Sequence, residues 1–425
     1  MMRSLYSAVS GLKNHQTRQD VIGNNIANVN TTGFKASRVN FQDILSQTLQ
    51  GASAPNGNTA GSNPMQVGLG MGIASIETLF TDGNVQSTGK QTDLAIQGDG
   101  FFIVSDNGGT NQYYTRAGNF DFDAAGNYYL PGTSLQVMGY GVDATGKIDT
   151  GKLVPLVIDD SKKTMAPKAT TGFTFTKNLT ADAVTDDPST TSIVDPTTAS
   201  GTVTIYDSMG KGTNLNAVFT FTGSNTWKLD FYDPASATPT TPLATVSSIT
   251  FASVTNPAAV PPTTAGKITT PPTSVTISGK SFTLDLTGLT MYGGESTLKS
   301  DYDGYAQGSL TKKTISASGI ITGTYDNGQS QTLGQVALAG FTNPGGLDKV
   351  GETMFVKSSN SGNPAIGIPG TGGLGKTSSG SLEMSNVNLS DEMTNMIITQ
   401  RGFQSNSKII TTDDEMLEIL ANLKR

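Results

Sequence analysis

Cysteine is absent from the 425 residues. That removes disulfides, thiolate nucleophiles and cysteine-based zinc sites together. Histidine is nearly absent as well. His15 is the only one, which argues against a multi-histidine metal site or a Ser-His-Asp triad within one chain. Its place in a helical stretch makes a helix-surface residue the plainer reading. Charge is scarce, at 14% of residues with a net of −7, so a nucleic-acid partner has no electrostatic support. Long apolar runs are missing too. Nothing approaches the roughly 20 apolar residues of a membrane span, so no membrane insertion is expected. The N-terminus carries Arg3 but no apolar core of the length that a cleavable signal peptide needs. Such a chain either stays in the cytoplasm or leaves by a route that does not use that signal.

What is abundant is glycine, at 50 residues, together with Ser, Thr and Asn. This suits short strands joined by tight turns better than a helical enzyme. The length allows two to four domains, since a single core rarely grows past about 250–300 residues.

Helical patterning is confined to the two ends. From Ser4 to about Asn28, Leu5, Val9, Leu12 and Ile26 keep a 3–4 spacing, with Gln16, Gln19 and Gly23 filling the same stripe. A helix of that length spans roughly 37 Å, and half a stripe of apolar side chains cannot hold it alone in water. At the other end, Asn386 to Leu423 reads as a long helix on which Leu389, Met396, Phe403, Ile410 and Leu417 recur every seven residues. The companion positions Met393, Gln400, Ser407, Asp414 and Ala421 are mostly polar or small, so the apolar face is narrow, as in helix-on-helix packing. Thr412-Asp413-Asp414-Glu415 has the form of a capping box, a place where the helix could restart.

Between the ends the texture is β. Strands are expected at Leu94–Ile96, Phe101–Val104, Tyr113–Arg116, Asn119–Phe122, Tyr128–Leu130 and Leu135–Met138, separated by Gly-containing turns. From 153 to about 300 the chain is rich in Thr, Ser and Pro, notably Thr185–Ser200 and Thr255–Ser274. Clear alternating strands lie at Gly201–Tyr206, Ala217–Phe221, Trp227–Tyr232 and Ser281–Leu286. The first texture returns at Ile320–Tyr325, with an Asp326-Asn327-Gly328 hairpin turn before Leu333–Leu338. A Gly-rich loop, Gly362 to Gly380, then leads to the final helix. The expected fold is α+β, with mostly antiparallel β domains strung between long N- and C-terminal helices. Its divisions are 1–30 with 385–425 (helical), 31–75 with 358–384 (connecting), 76–152 with 301–357 (first β domain) and 153–300 (inserted β domain).

Two motifs suggest chemistry. Gly370-Thr-Gly-Gly-Leu-Gly375-Lys376-Thr377 fits the nucleotide-binding G-x-x-x-x-G-K-[ST] pattern. A working phosphate loop needs a buried strand before it and a helix starting at its Lys. Pro364 and Pro369 precede it, and Ser378-Ser-Gly-Ser381 is a poor helix start, so it reads as a chance match in a Gly-rich linker. Asp121-Phe-Asp123-Ala-Ala125-Gly126 half-resembles a calcium loop, but Ala125 occupies the fifth position and Gly132 the twelfth; a hairpin turn is the better reading. Neither catalysis nor a metal or other cofactor is expected.

Four stretches resemble bacterial flagellar rod and hook proteins: Asn24-Asn25-Ile26-Ala27-Asn28 with Thr32-Gly33-Phe34-Lys35; Asp93 to Phe102; Tyr114-Thr115-Arg116-Ala117-Gly118; and Ser385 to Leu423. The family-motif residues so marked are Asn25, Asn28, Thr32, Gly33, Phe34 and Lys35. Rod members are shorter, so the insertion at 153–300 makes the chain similar to the hook members. The resemblance implies a self-assembling, flexible hollow tube in which the terminal helices pair around a central channel. Such a tube acts as a universal joint that carries motor torque from rod to filament. It also implies a flagellar, extracellular location reached through the flagellum's own export apparatus. The partners implied are further copies of itself, the distal rod protein, the hook cap, the hook-filament junction protein and the hook-length ruler. Phe41 and Leu45 are similar to the short apolar signal that such subunits offer the export gate. On this view Leu5, Val9, Leu12, Ile26, Leu389, Met393, Met396, Phe403, Ile410 and Leu417 are assembly residues, and the helices order when neighbours cover them. A distal-rod-type protein with an insertion, a secreted β-rich adhesin and a P-loop nucleotide-binding protein are the competing readings.

Overall fold

The computed structural model describes residues 2–55, 60–143, 146–182, 197–234, 241–252 and 265–422. The chain forms two compact units, Met1–Asp160 with Lys312–Thr324 and Ser330–Arg425, and Ser161–Thr311 with Tyr325–Gln329.

In the first unit, α1 (Met2–Ala27) stops where Asn and Thr side chains offer the backbone other partners. Asn28 Nδ2 donates to Asn24 O, and the Thr31 hydroxyl donates to Asn28 Oδ1. The ribbon Ser37–Asp43 with Met71–Thr78 lies along this helix, held in part by Asn14 Nδ2 donating to Met71 O at 2.6 Å. Next to it, Ser46–Gln50 pairs with Met65–Gly68 in a ribbon exposed along its whole length. The unit's main sheet runs in the order Ile320–Tyr325, Ser330–Val336, Gln136–Val142, Phe101–Asp106, Asn111–Thr115, Met354–Val356, Asp348–Gly351. Strand alternation sends Phe101 and Phe102 to opposite faces. Phe101 joins Phe80, Phe341 and Phe355, whereas Phe102 meets Phe120 edge-on at 5.1 Å. Ile148–Pro155 pairs with Gln136–Val142, so the chain is still in this unit beyond residue 152.

A single turn, α2 (Asp160–Lys163), stands where the sequence passes from the first unit to the second. The second unit holds a four-stranded antiparallel sheet, Thr198–Tyr206, Gly212–Gly223, Thr226–Tyr232 and Ala244–Thr250, and a five-stranded one. Their inner faces share one core built on Phe173, Phe175, Phe219, Trp227 and Phe231. Gly172–Thr180 was not evident from the sequence. It runs parallel to both Lys280–Asp285 and Leu289–Tyr292, so the β structure is mostly but not wholly antiparallel. Residues 183–196 and 253–264, which overlap the expected Thr/Pro-rich stretches, lie outside the described residues.

The end of the chain differs from expectation in three ways. The Gly-rich stretch before the last helix contains strands: Lys376–Ser379 pairs with Leu94–Gln97, and Ser381–Glu383 with Val85–Ser87. Helix α3 (Leu389–Asn422) starts three residues later than Asn386, because Asn388 is its cap, with Oδ1 accepting from Ser390 N–H at 3.1 Å. Asp391 and Glu392 in its first turn suit the positive end of the helix dipole. The helix also runs unbroken past Thr412, whose hydroxyl donates back to Lys408 O instead of capping a new start. Leu423, its expected last residue, lies outside the described residues.

Candidate assembly surface

Helices α1 and α3 lie antiparallel against each other, and the seam between them is polar and close-set. Ser4 Oγ donates to Asp413 Oδ2 at 2.7 Å, Arg18 Nη2 to Asn395 Oδ1 at 3.1 Å, and Asn25 Nδ2 to Glu392 Oε1 at 3.1 Å. Between them, Gly11 faces Asn406 and Gly402 faces His15. A Cβ on either glycine would come within 2.8 Å of the opposing side chain. The residues that make this seam on α1, namely Ser4, Ala8, Gly11, His15, Arg18, Ile22 and Asn25, themselves alternate at 3–4 spacing. That signal was available in the sequence, but apart from Ala8 and Ile22 it is carried by polar residues and glycine. His15 sits edge-on to Phe41 at 5.9 Å, and its Nδ1 is buried without a partner. Burial first, and then Arg18, hold its imidazole below the ordinary value.

The apolar stripes chosen from the sequence therefore do not form this seam. On α3, Met396 and Ile410 are half-buried, but Leu389 (44% exposed), Met393, Phe403 (38%) and Leu417 face outward. Ile397, Ile398, Ile409 and Leu420 are exposed too. On α1, Val9 is exposed, while Leu5, Leu12 and Ile26 are half-buried. The arrangement has a simple cause. Small and polar residues let two backbones approach within one chain, and Val9, Leu389, Met393, Phe403 and Leu417 are left to point away.

Both helices are rooted in one junction. Asn25, fully buried, exchanges hydrogen bonds with Ser37 backbone N–H and O. Gly33 has φ +67 and sits where a side chain would strike the Arg116–Ala117 backbone. Lys35 is buried, its Nζ 2.6 Å from both Glu383 Oε1 and Thr81 O, and burial pushes its amine below the usual lysine value against the pull of Glu383. Arg116 Nη1 reaches Glu383 Oε2 at 3.2 Å. Asn386 donates to Leu79 O and accepts from Ala36 N–H. Asn28 and Phe34 border the same junction, with Lys349 Nζ 5.1 Å from the Phe34 ring, while Thr32 is half-buried. Sequence reasoning marked Gly33 and Lys35 but gave Glu383 no role, because a buried carboxylate has no local signature.

Phe41 and Leu45 do not form a pair. Phe41 packs on α1, whereas Leu45 is 70% exposed beyond the strand end. The G-x-x-x-x-G-K-T run closes on itself through Gly370 N–H to Gly375 O, and Lys376 opens a strand, not a helix, so no phosphate-cradling helix N-terminus exists there. Asp123 is used in its own hairpin turn, accepting from Asn127 N–H at 2.7 Å.

Four family profiles match in order: flagella basal body rod protein (5–35), flagellar hook protein FlgE/F/G D1 domain (95–153), flagellar basal body protein FlaE D2 domain (178–305) and flagellar basal body rod FlgEFG protein C-terminal (378–423). The flagellar hook protein of Treponema pallidum is 40% identical over the whole of both chains. The chain belongs to the flagellar hook protein family. The hook protein of Borreliella burgdorferi is 41% identical over the whole of both chains, and the basal-body rod protein FlgG of Bacillus subtilis is 32% identical, again over both whole lengths. The hook family is a structural one.

Proposed function

We infer that this chain is a structural subunit of the bacterial flagellar hook, self-assembling into a flexible hollow tube that carries torque from rod to filament. The observation that carries the reading is the division of labour on the terminal helices. Polar and small residues close the seam within the chain, and Leu389, Met393, Phe403 and Leu417 are left outward on α3 with Val9 outward on α1. Exposed apolar side chains repeated along a helix of a monomer suit a surface meant to be covered, and further copies of the same chain are the occupant a tube requires. The mostly polar β surfaces would supply wetter, adjustable contacts, which lets a tube bend while its helical lining holds.

The location that follows is the extracellular hook, reached through the flagellar export apparatus. The distal rod protein, hook cap, hook-filament junction protein and hook-length ruler are the proposed neighbours. Lack of cysteine fits such a route, since an unfolded exported chain then has nothing to cross-link. Phe41 and Leu45 are the proposed export signal, with Leu45 the more available of the two. The test is genetic and microscopic. Cells lacking this chain should build a rod but no hook, and purified chain should form tubes in electron micrographs. Loss of the rod as well would place the chain below the hook and overturn the reading.

A further inference from the structure

Glu383 sits where three separate parts of the first unit meet. Its side chain and that of Lys35 are fully buried, and that of Arg116 is 2% exposed. One carboxylate oxygen accepts from Lys35 Nζ and from Gly83 N–H at 3.0 Å, and the other from Arg116 Nη1. Its backbone carbonyl accepts from Gly33 N–H at 2.8 Å. Lys35 lies on the segment leaving α1, Glu383 on the segment entering α3, and Arg116 on the β framework beside the Phe101 ring. Asp82, at the half-open rim, takes a second contact from Arg116 at 3.4 Å.

A buried ion cluster is weak evidence for stability as such, because desolvation offsets the attraction. What it does strongly is penalise partial assembly, since removing one partner leaves a buried charge uncompensated. Here every partner comes from a different segment, so the charges are satisfied only when both helix roots are seated on the β framework together. We propose that Glu383 is a positioning residue that couples the two terminal helices, so that α1 and α3 seat or release as one event. The proposal rests on the reading of those helices as the assembly surface, and adds how their order is controlled.

The test uses the full-length chain. Unmodified chain is first scored for tubes alone in electron micrographs, which judges the hook reading independently of any variant. Isotope-labelled Glu383→Gln or Lys35→Met chain is then co-assembled as a small minority into unmodified tubes, and amide exchange is read by mass spectrometry. Coupling is reciprocal, so the Lys35 variant, altered on the α1 side, should speed exchange in α3. The Glu383 variant, altered on the α3 side, should speed exchange in α1. At least a tenfold increase in both helices is expected, with Phe101–Asp106 unchanged. A variant refused by the tubes while its β framework melts like the unmodified chain also supports the proposal. Faster exchange only in the helix next to the substitution, no change in either helix, or an equal loss in the β strands would overturn it.

Discussion

In the second unit, Trp227, Phe219 and Phe231 are fully buried among other apolar side chains, whereas the seam between α1 and α3 is closed by Ser4, Gly11, Asn406 and Asp413. The first interior is shared by the inner faces of two sheets. It has the many dispersion contacts that a close-packed core supplies. The second is one side chain deep and depends on fit and hydrogen bonds. The difference teaches where each part gets its stability: the second unit from its own sequence, the helix pair from being seated and covered.

The comparison can be broken most forcefully at Trp227. Trp227→Ala should cost the second unit about 3–5 kcal/mol, lowering its calorimetric transition and leaving the transition of the first unit in place. A common fall in both would mean that the two do not melt separately. Gly402→Leu should force the seam apart at His15, at a cost of about 1–3 kcal/mol, partly offset by the ~1 kcal/mol that a better helix former contributes. Faster amide exchange across α1 checks it. Phe403→Asp should change the stability of the single chain by less than about 0.5 kcal/mol yet abolish tube formation. Normal tubes from that variant would remove Phe403 from the assembly surface.

Acid sharpens the contrast at smaller amplitude. His15 has its proton affinity lowered in the seam, so a released α1 takes up protons before a seated one does. Stability of the seam should be whole above pH about 6.5, fall as pH drops toward the lowered value, and level off below it. His15→Gln should flatten that dependence. In the second unit Asp303 behaves differently. Burial would raise its carboxyl, but the Thr171 hydroxyl, the Thr171 and Gly172 amides and Lys168 outweigh this and hold it at about 2. Its contribution should therefore persist down to pH about 4 and be lost only between there and about 2. Thermal melts of Asp303→Asn against pH would show the step missing.

The sequence made the helices and most strands legible because their signals are local: periodicity at the ends, alternation at Trp227–Tyr232, an Asn-Gly turn at Asn327-Gly328. It also made the family legible, through stretches such as Asn24–Lys35. It was silent on the seam within the chain. Apolar spacing picked Leu389, Phe403 and Leu417, which face outward, and passed over Gly11, Gly402 and Asn406, whose value lies in small size or in close packing against a residue hundreds of positions away. The parallel strand at Gly172–Thr180 escaped for the same reason, since its neighbours come from residues 280–292. Glu383 is the extreme case: only the meeting of Lys35 and Arg116 around it gives it meaning.

Trp227 has one more consequence. It is the chain's sole tryptophan, its ring is wholly buried, and its Nε1 has no hydrogen-bond partner. Tryptophan-selective excitation therefore reports on an apolar surrounding inside the second unit. As the subunit polymerises, its emission should stay constant while light scattering climbs. Trp227 would then serve as a built-in optical reference that answers to opening of the second unit.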